Sequence, residues 1–383
     1  MRKILLTALL AAGGLTASAQ YLPNGDFQQW KTTCGKSDQT SLNNYYESAP
    51  FGLATRPGVE PQDWNGSNVN QTVFNQNAHS DALVTRQGNA ENFYVRLVCT
   101  KVGALGITAE APAFINFGTP WVYAVSNKSK CDGGVYGGMS FSYKPDAIKG
   151  RYKRTPAATK EKARIIAYLW SGTFKSSIPS GKSTRMQDDV DRAIMGRVSG
   201  VTGDGKLVAS CDYGFETTKN NDWEEIIVPI DYKRTDVVPT KMNIIISSDD
   251  YWNRANMVEN STLEVDDVQF VYYHALESIT YKGKTIKMEE GKNFYNLLID
   301  EDFDISKFSY EKKGAGATVE KSFDPKSQML TVTVKGNDFN VNPKSVTVYK
   351  FRVAKEVTDF TSDLSVELVN IGMFDPSEST IQL

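Results

Sequence analysis

The chain has 383 residues, with 43 Lys or Arg against 45 Asp or Glu and a formal net charge of −2. At 40% hydrophobic and 11% aromatic it can bury substantial cores, which excludes a disordered or low-complexity protein. No basic excess points to nucleic acid, and two histidines exclude a His-rich metal site and leave little scope for His-based catalysis.

The N-terminus reads as a secretory signal over residues 1–19. Arg2 and Lys3 precede an apolar run from Ile4 to Ala12, Gly13-Gly14 breaks it, and Ala17-Ser18-Ala19 supplies the small residues of a cleavage site. The run is too short to span a bilayer. Cleavage is expected after Ala19, leaving Gln20 first and no transmembrane segment in the mature chain. Export would deliver it to the periplasm, the cell surface or the medium. There Cys34, Cys99, Cys131 and Cys211 permit two disulfides in three connectivities. Four buried free thiols are the alternative, because a domain of this size needs no staples. The absence of a Cys-x-x-Cys pair excludes zinc ribbons and thioredoxin-like chemistry.

From Gln20 to about Val135 the chain is rich in Asn, Gly, Ser and Pro, and Phe93–Val98 is the plainest strand candidate. Beyond Gly137 strands become clear. Met139–Tyr143 alternates up to Pro145, and Ala163–Trp170 is apolar on both faces, as a central strand requires. Residues 226–230, 242–247 and 262–273 complete the set, with one helical turn near Asp188–Met195. The apolar alternation of Leu263 and Val265 slips by one at Asp266-Asp267 before Val268 and Phe270 resume it, which predicts a β-bulge.

A second unit is expected over 275–354. Tyr281-Lys282-Gly283-Lys284 predicts a two-residue hairpin turn. Strands follow at 294–299, 308–311, 318–322, 329–334 and 346–353, with Asp324-Pro325-Lys326-Ser327 as a turn. This regular spacing suggests a small immunoglobulin-like sandwich. Residues 355–383 form a short β tail containing Leu364–Val369, which reads as the start of a further module.

Several segments, in order, resemble the carbohydrate metabolism domain (PCMD) family of exported proteins from Bacteroides-type bacteria. They are Leu22-Pro23-Asn24-Gly25-Asp26-Phe27 with Trp30, Pro61-Gln62-Asp63-Trp64, Phe141–Pro145, Lys149–Lys153, Asp222-Trp223, Ile244–Ser248 and Leu263–Val268. The resemblance covers roughly residues 21–274, within an expected domain of residues 20–274, and implies a jelly-roll β-sandwich similar to carbohydrate-binding modules and galactose-binding-like domains. The fold class expected is therefore all-β, a jelly roll followed by the immunoglobulin-like unit. In similar modules the opening Asn-Gly segment lies beside the closing Asp-Asp-Val strand and often holds a structural calcium. Asp26, Asp266 and Asp267 could contribute here, but Gln28 stands where those modules carry Glu. The loss of that charge favours a hydrogen-bonded bulge without an ion.

Sugar recognition needs aromatic faces and planar polar groups. Asp250-Tyr251-Trp252-Asn253-Arg254, in a connection between two strands, supplies both and is the first candidate binding segment, with Trp64 as a second. Trp30, Trp170 and Trp223 read as core. Trp121 is undecided, and Tyr45-Tyr46 is a weaker platform. Enzymatic motifs fail. Gly181-Lys182-Ser183 lacks the earlier Gly of a phosphate loop, since Ser176 stands there, and Gly138–Ser142 lacks the last Gly of a nucleophile elbow. Three functions follow: a non-catalytic glycan-binding protein, a structural or adhesive component contacting other surface proteins, and a glycoside hydrolase or lyase.

Overall fold

A computed structural model of the chain describes residues 22–32, 45–49, 52–73, 75–127, 130–299 and 301–355. The expected signal segment, Cys34 and the β tail beyond 355 lie outside the described residues. The molecule is almost entirely β and divides into two units. The first comprises residues 1–273 with 314–317 and 336–345, and the second comprises 274–313, 318–335 and 346–383.

Two antiparallel sheets make the sandwich of the first unit. One has seven strands, in the order Asp231–Tyr232, Lys206–Phe215, Ala163–Ser171, Lys241–Ser247, Phe114–Asn116 and Asn65–Gly66, with Met139–Ser140 also paired to Lys241–Ser247. The other has five, Glu224–Pro229, Ala147–Thr155, Thr262–Val271, Asn92–Val98 and Val84–Asn89. Their facing side chains form one core that includes Ile165, Ala167, Leu169, Ile244 and Ile246 from the first sheet and Ile148, Val265, Val95 and Leu97 from the second.

The apolar character of Ala163–Ser171 on both faces has a direct cause. Ile166, Tyr168 and Trp170 turn away from that core into a second cluster with Phe114, Val135, Ile194, Ile245 and Tyr251. The seven-stranded sheet is thus covered on both sides, and its central strand must be apolar throughout. Asn243 is fully buried in this sheet without penalty, because it donates to Tyr168 Oη at 2.8 Å and accepts from Phe117 N at 2.9 Å.

A six-stranded sheet, ordered Asp132–Tyr136, Thr119–Tyr123, Tyr45–Ala49, Gly52–Thr55, Val69–Val73 and Gln76–Ser80, supplies further structure on the side of the second cluster. It lies in the stretch where the sequence showed few periodic segments. Strands such as Gln76–Ser80 are short and polar, so alternation does not mark them.

The bulge at Asp266-Asp267 is present. Lys149 pairs with Gln269 and Arg151 with Asp266, so Asp267 and Val268 together oppose Gly150, and Asp267 takes φ 51°. The opening segment sits against it, with Val268 N donating to Gly25 O at 2.8 Å. A Cβ on Gly25 would stand 1.9 Å from Val268 O, which explains the glycine. The Gly181-Lys182-Ser183 segment is a hairpin turn between Phe174–Ser180 and Ser183–Asp188, with Gly181 at φ 58°. The helical turn is Asp191–Ile194.

The second unit is a small sandwich. Lys284–Lys287, Leu276–Tyr281 and Phe308–Lys312 form one sheet. Phe294–Ile299, Val346–Lys355, Met329–Lys335 and Thr318–Asp324 form the other, with Phe294–Ile299 running parallel to Val346–Lys355. The Lys282-Gly283 turn has positive φ at both positions, 45° and 85°, as a tight hairpin needs.

Cys99, Cys131 and Cys211 are free thiols, so the two-disulfide expectation is not met among the described residues. Burial pushes the Cys99 thiol up and the Cys211 thiol up to about 12, which keeps both protonated and unreactive.

Candidate functional site

Three tryptophans named in the sequence reading occupy different environments. Trp64 is a correction to the binding expectation. It is 0% exposed, its ring is tilted against Phe117 at 4.0 Å and Phe27 at 5.6 Å, and its Nε1 donates to Pro23 O at 3.0 Å. Its large apolar area is spent on the core, and no face remains for a ligand. Trp170 is core as expected, also at 0%. Trp223 is instead half-buried at the surface, edge-on to Tyr94 at 5.2 Å with the Arg151 guanidinium 5.4 Å from its ring.

The connection after strand Lys241–Ser247 places its residues in distinct roles. Asp250 is buried, accepting from Arg164 Nε at 3.0 Å and from Asn256 Nδ2 at 2.9 Å. Asn253 Oδ1 accepts Ala255 N at 3.1 Å. Both polar groups therefore hold the loop, and Asp250 is withdrawn from ligand contact, against expectation. Arg254 opens a short helical turn, Arg254–Asn256.

Tyr251 and Trp252 line a cavity of about 810 Å³ in the first unit. Tyr251 is nearly buried, and its hydroxyl donates to Asp191 Oδ2 at 2.5 Å. Burial drives its phenol well above the usual range, so it stays protonated. Burial also raises the Asp191 carboxyl, while Arg192, Tyr251 and the backbone N–H groups of Val135 and Arg192 oppose that rise. Trp252 is half-buried and stands edge-on to Tyr251 at 4.9 Å, and its Nε1 donates to Asp212 Oδ2 at 2.9 Å. The Arg197 guanidinium lies 4.3 Å from its ring and also bonds Asp212. Asp212 Oδ1 accepts Arg164 Nη1 at 3.0 Å, which ties this ring to the central strand.

Trp121, undecided from the sequence, also lines the cavity. It belongs to strand Thr119–Tyr123, is 5% exposed, and its Nε1 finds no hydrogen-bond acceptor among the described residues. Gly134 on the adjacent strand packs closely there: a Cβ would meet Asp191 Oδ2 at 3.0 Å and Trp121 Nε1 at 3.2 Å, so those side chains would have to give way slightly. Beside it, Arg192 makes a bidentate pair with Asp132, at 3.0 and 2.6 Å, and donates to Gly133 O at 2.6 Å. A separate two-stranded hairpin, Thr100–Ala104 with Ile107–Ala111, gives the cavity an apolar wall. Its tip leaves Leu105 47% and Ile107 39% exposed.

Sequence reasoning missed Asp132, Arg192, Arg197 and Asp212. They come from three separate places in the chain, and only the fold brings Asp132, Arg192 and Arg197 to the cavity wall, with Asp212 bonded to Arg197 and to the Trp252 indole.

The three carboxylates considered for calcium do not form one cluster. Asp26 is exposed, Asp266 accepts from Asn92 Nδ2 at 3.2 Å, and Asp267 faces Arg151 at 3.8 Å. Among the described residues no group of three or more His, Cys, Asp or Glu is placed to hold a metal ion. The Gln28 amide instead occupies the oxygens beside the bulge, donating to Asp26 O at 2.6 Å, Phe93 O at 3.1 Å and Asn92 Oδ1 at 3.2 Å.

No protein-family model matches the chain, and no curated protein matches it. Among solved structures it is similar to a protein of Bacteroides vulgatus provisionally named a glycoside hydrolase, at 14% identity and a TM-score of 0.38, covering 66% of this chain and 97% of that one. A Bacteroides thetaiotaomicron protein named in the same way is similar at 16% identity and a TM-score of 0.36, covering 64% and 72%. A carbohydrate-binding module studied for specific mannan recognition is similar at 9% identity and a TM-score of 0.21, covering 55% and 88%. These are distant likenesses.

Proposed function

We propose that this is an exported, non-catalytic protein of PCMD type that binds glycans in the cavity of its first unit. The observation that carries this reading is the convergence of Trp121, Tyr251 and Trp252 with the fixed Arg192–Asp132 pair on one cavity of about 810 Å³. Aromatic rings offer flat apolar surface to the C–H faces of a pyranose, and planar charged pairs offer donors and acceptors to its hydroxyls. The unmatched Trp121 N–H adds a donor whose burial without an acceptor costs about 1–3 kcal/mol, so a ligand hydroxyl that reached it would recover that energy. Export is supported by the basic, apolar and small-residue pattern of residues 2–19.

The test is a polysaccharide and glycan array probed with the full chain, alongside Trp252→Ala. Retention of defined glycans by the wild type, weakened about tenfold or more in the folded variant, supports the reading. Flat responses across host and plant glycans would overturn it in favour of an adhesive component. Release of new reducing ends from any retained glycan would overturn its non-catalytic part.

A further inference from the structure

The cavity wall is chemically divided, which deepens the glycan reading. One part comes from strands Thr119–Tyr123 and Asp132–Tyr136, the turn that starts at Asp191 and the loop after Ser247. It carries indole and guanidinium groups: Arg192 lies 5.9 Å from the Trp121 ring, and Arg197 lies over Trp252. The other part is the hairpin of Thr100–Ala104 and Ile107–Ala111. From Val102 to Ala111 every residue but Gly106 reaches the wall, and Thr108 and Glu110 are the only polar side chains among them. The hairpin tip adds a second observation. Leu105 takes φ 57° and Gly106 φ 75°, a turn in which Asn or Gly is the unstrained choice at the first position. A leucine there holds its backbone in the left-handed region while 47% of it stays exposed, beside Ile107 at 39%. The fold gains little from it, and strain of this kind is characteristic of functional positions. Both residues line the cavity and are exposed, so they stand at its mouth.

A bare glycan filling the whole cavity would lay hydroxyls along the hairpin. Aliphatic side chains offer them no partner, and a buried hydroxyl without a hydrogen bond is costly. An alkyl chain has the opposite preference. It leaves water against Val102, Ala104, Leu105 and Ile107 and asks for no donor. The volume of about 810 Å³ is in the range that encloses a ligand with both parts. We infer, on the basis of the glycan reading above, that the cavity takes a glycan bearing an alkyl or acyl chain. The sugar lies against Trp121, Trp252 and the Arg192–Asp132 pair, and the chain lies along the hairpin.

The test titrates the full chain by calorimetry, below the micellar concentration, with methyl, hexyl, heptyl and octyl glucosides and the matching galactosides. Octanol is the control without a sugar. Affinity that rises about two- to fourfold with each methylene, with octanol at least about tenfold weaker than the octyl glycoside, supports the inference. Leu105→Asn suits the turn and removes the apolar tip. It should leave methyl glycoside affinity unchanged and weaken the octyl member about three- to tenfold. Cosedimentation with phosphatidylcholine vesicles containing a glycosylceramide would place the chain on a lipid, and retention on butyrylated but not plain dextran would place it on a polysaccharide; either supports the inference. Octyl glycosides bound no more tightly than methyl glycosides would overturn it and leave the glycan reading standing, since the sugar alone would carry the affinity. Unchanged octyl glycoside affinity in folded Leu105→Asn would overturn it in the same way. Octanol bound as tightly as the octyl glycosides would remove it together with the glycan reading of this cavity. Binding of no glycoside would also overturn it, with the glycan array deciding the broader reading separately.

Discussion

Trp252 and Asp212 are joined by a hydrogen bond of 2.9 Å, and the same carboxylate anchors the Arg197 guanidinium that lies over the Trp252 ring. The ring is thus fixed by a residue 40 positions earlier, on the strand next to the central one. Asp212→Ala should free the indole and leave Arg164 and Arg197 without this partner. The expected result is a red-shifted tryptophan emission and a stability loss of about 1–3 kcal/mol in urea unfolding, with ligand affinity falling by about tenfold or more.

Asp249 gives the fold a pH dependence. It is 0% exposed, and burial pushes its carboxyl up to about 6, while Ser248, the Val258 N–H and Arg154 oppose the rise and Glu161 adds to it. Its folded value lies above its unfolded one, so it contributes most below about pH 4, and that contribution is lost as pH rises through about 6. Ionised Asp249 therefore costs up to about 3 kcal/mol at neutral pH, taking 1.36 kcal/mol per unit. Asp249→Asn, with Ser248 Oγ reversing to accept, should stabilise the protein by about 1–3 kcal/mol at pH 7.5 and flatten its stability between pH 4 and 6. Urea unfolding of both proteins across that range checks it.

Gly25→Ala should be severe for a position in an irregular segment. The new methyl would overlap Val268 O, a backbone carbonyl, so no flexible side chain can yield to it. A loss of about 2–4 kcal/mol is expected in chemical denaturation, with the second unit's unfolding unchanged.

Trp64→Phe and Trp64→Ala separate packing from binding. The alanine variant should lose about 3–5 kcal/mol. Folded Trp64→Phe should keep wild-type glycan affinity, because the ring does not reach the cavity.

Gln28 already places an amide on the oxygens beside the bulge. A chelator should therefore leave the melting temperature of the wild type unchanged. Gln28→Glu sets a carboxylate against those same oxygens and should lower it, with added calcium restoring the loss. Differential scanning calorimetry reads both.

Much of the β architecture was legible because its signals are local. The two-sided apolar run at Ala163–Ser171, the phase slip at Asp266-Asp267 and the Lys282-Gly283 turn each have a physical cause within a few residues. The six-stranded sheet was not legible, since polar strands such as Gln76–Ser80 show no alternation and are fixed by their neighbours. The candidate site was half legible. Tyr251 and Trp252 stood out as adjacent aromatics in a loop, but nothing in the sequence distinguishes Trp64, held in the core by Phe27 and Phe117, from an exposed ring. Arg192 and Asp132 are 60 positions apart, and a pair of that kind is invisible until the backbone closes.

The strand Ala163–Ser171 sends alternate side chains into two different clusters, one of which includes Tyr251. Any evolutionary drift in ligand preference that touched this strand would loosen the molecule's interior at the same time. New preferences are therefore expected to arise at the tip of the Thr100–Ala111 hairpin, where Leu105 and Ile107 are exposed, while the central strand stays unaltered.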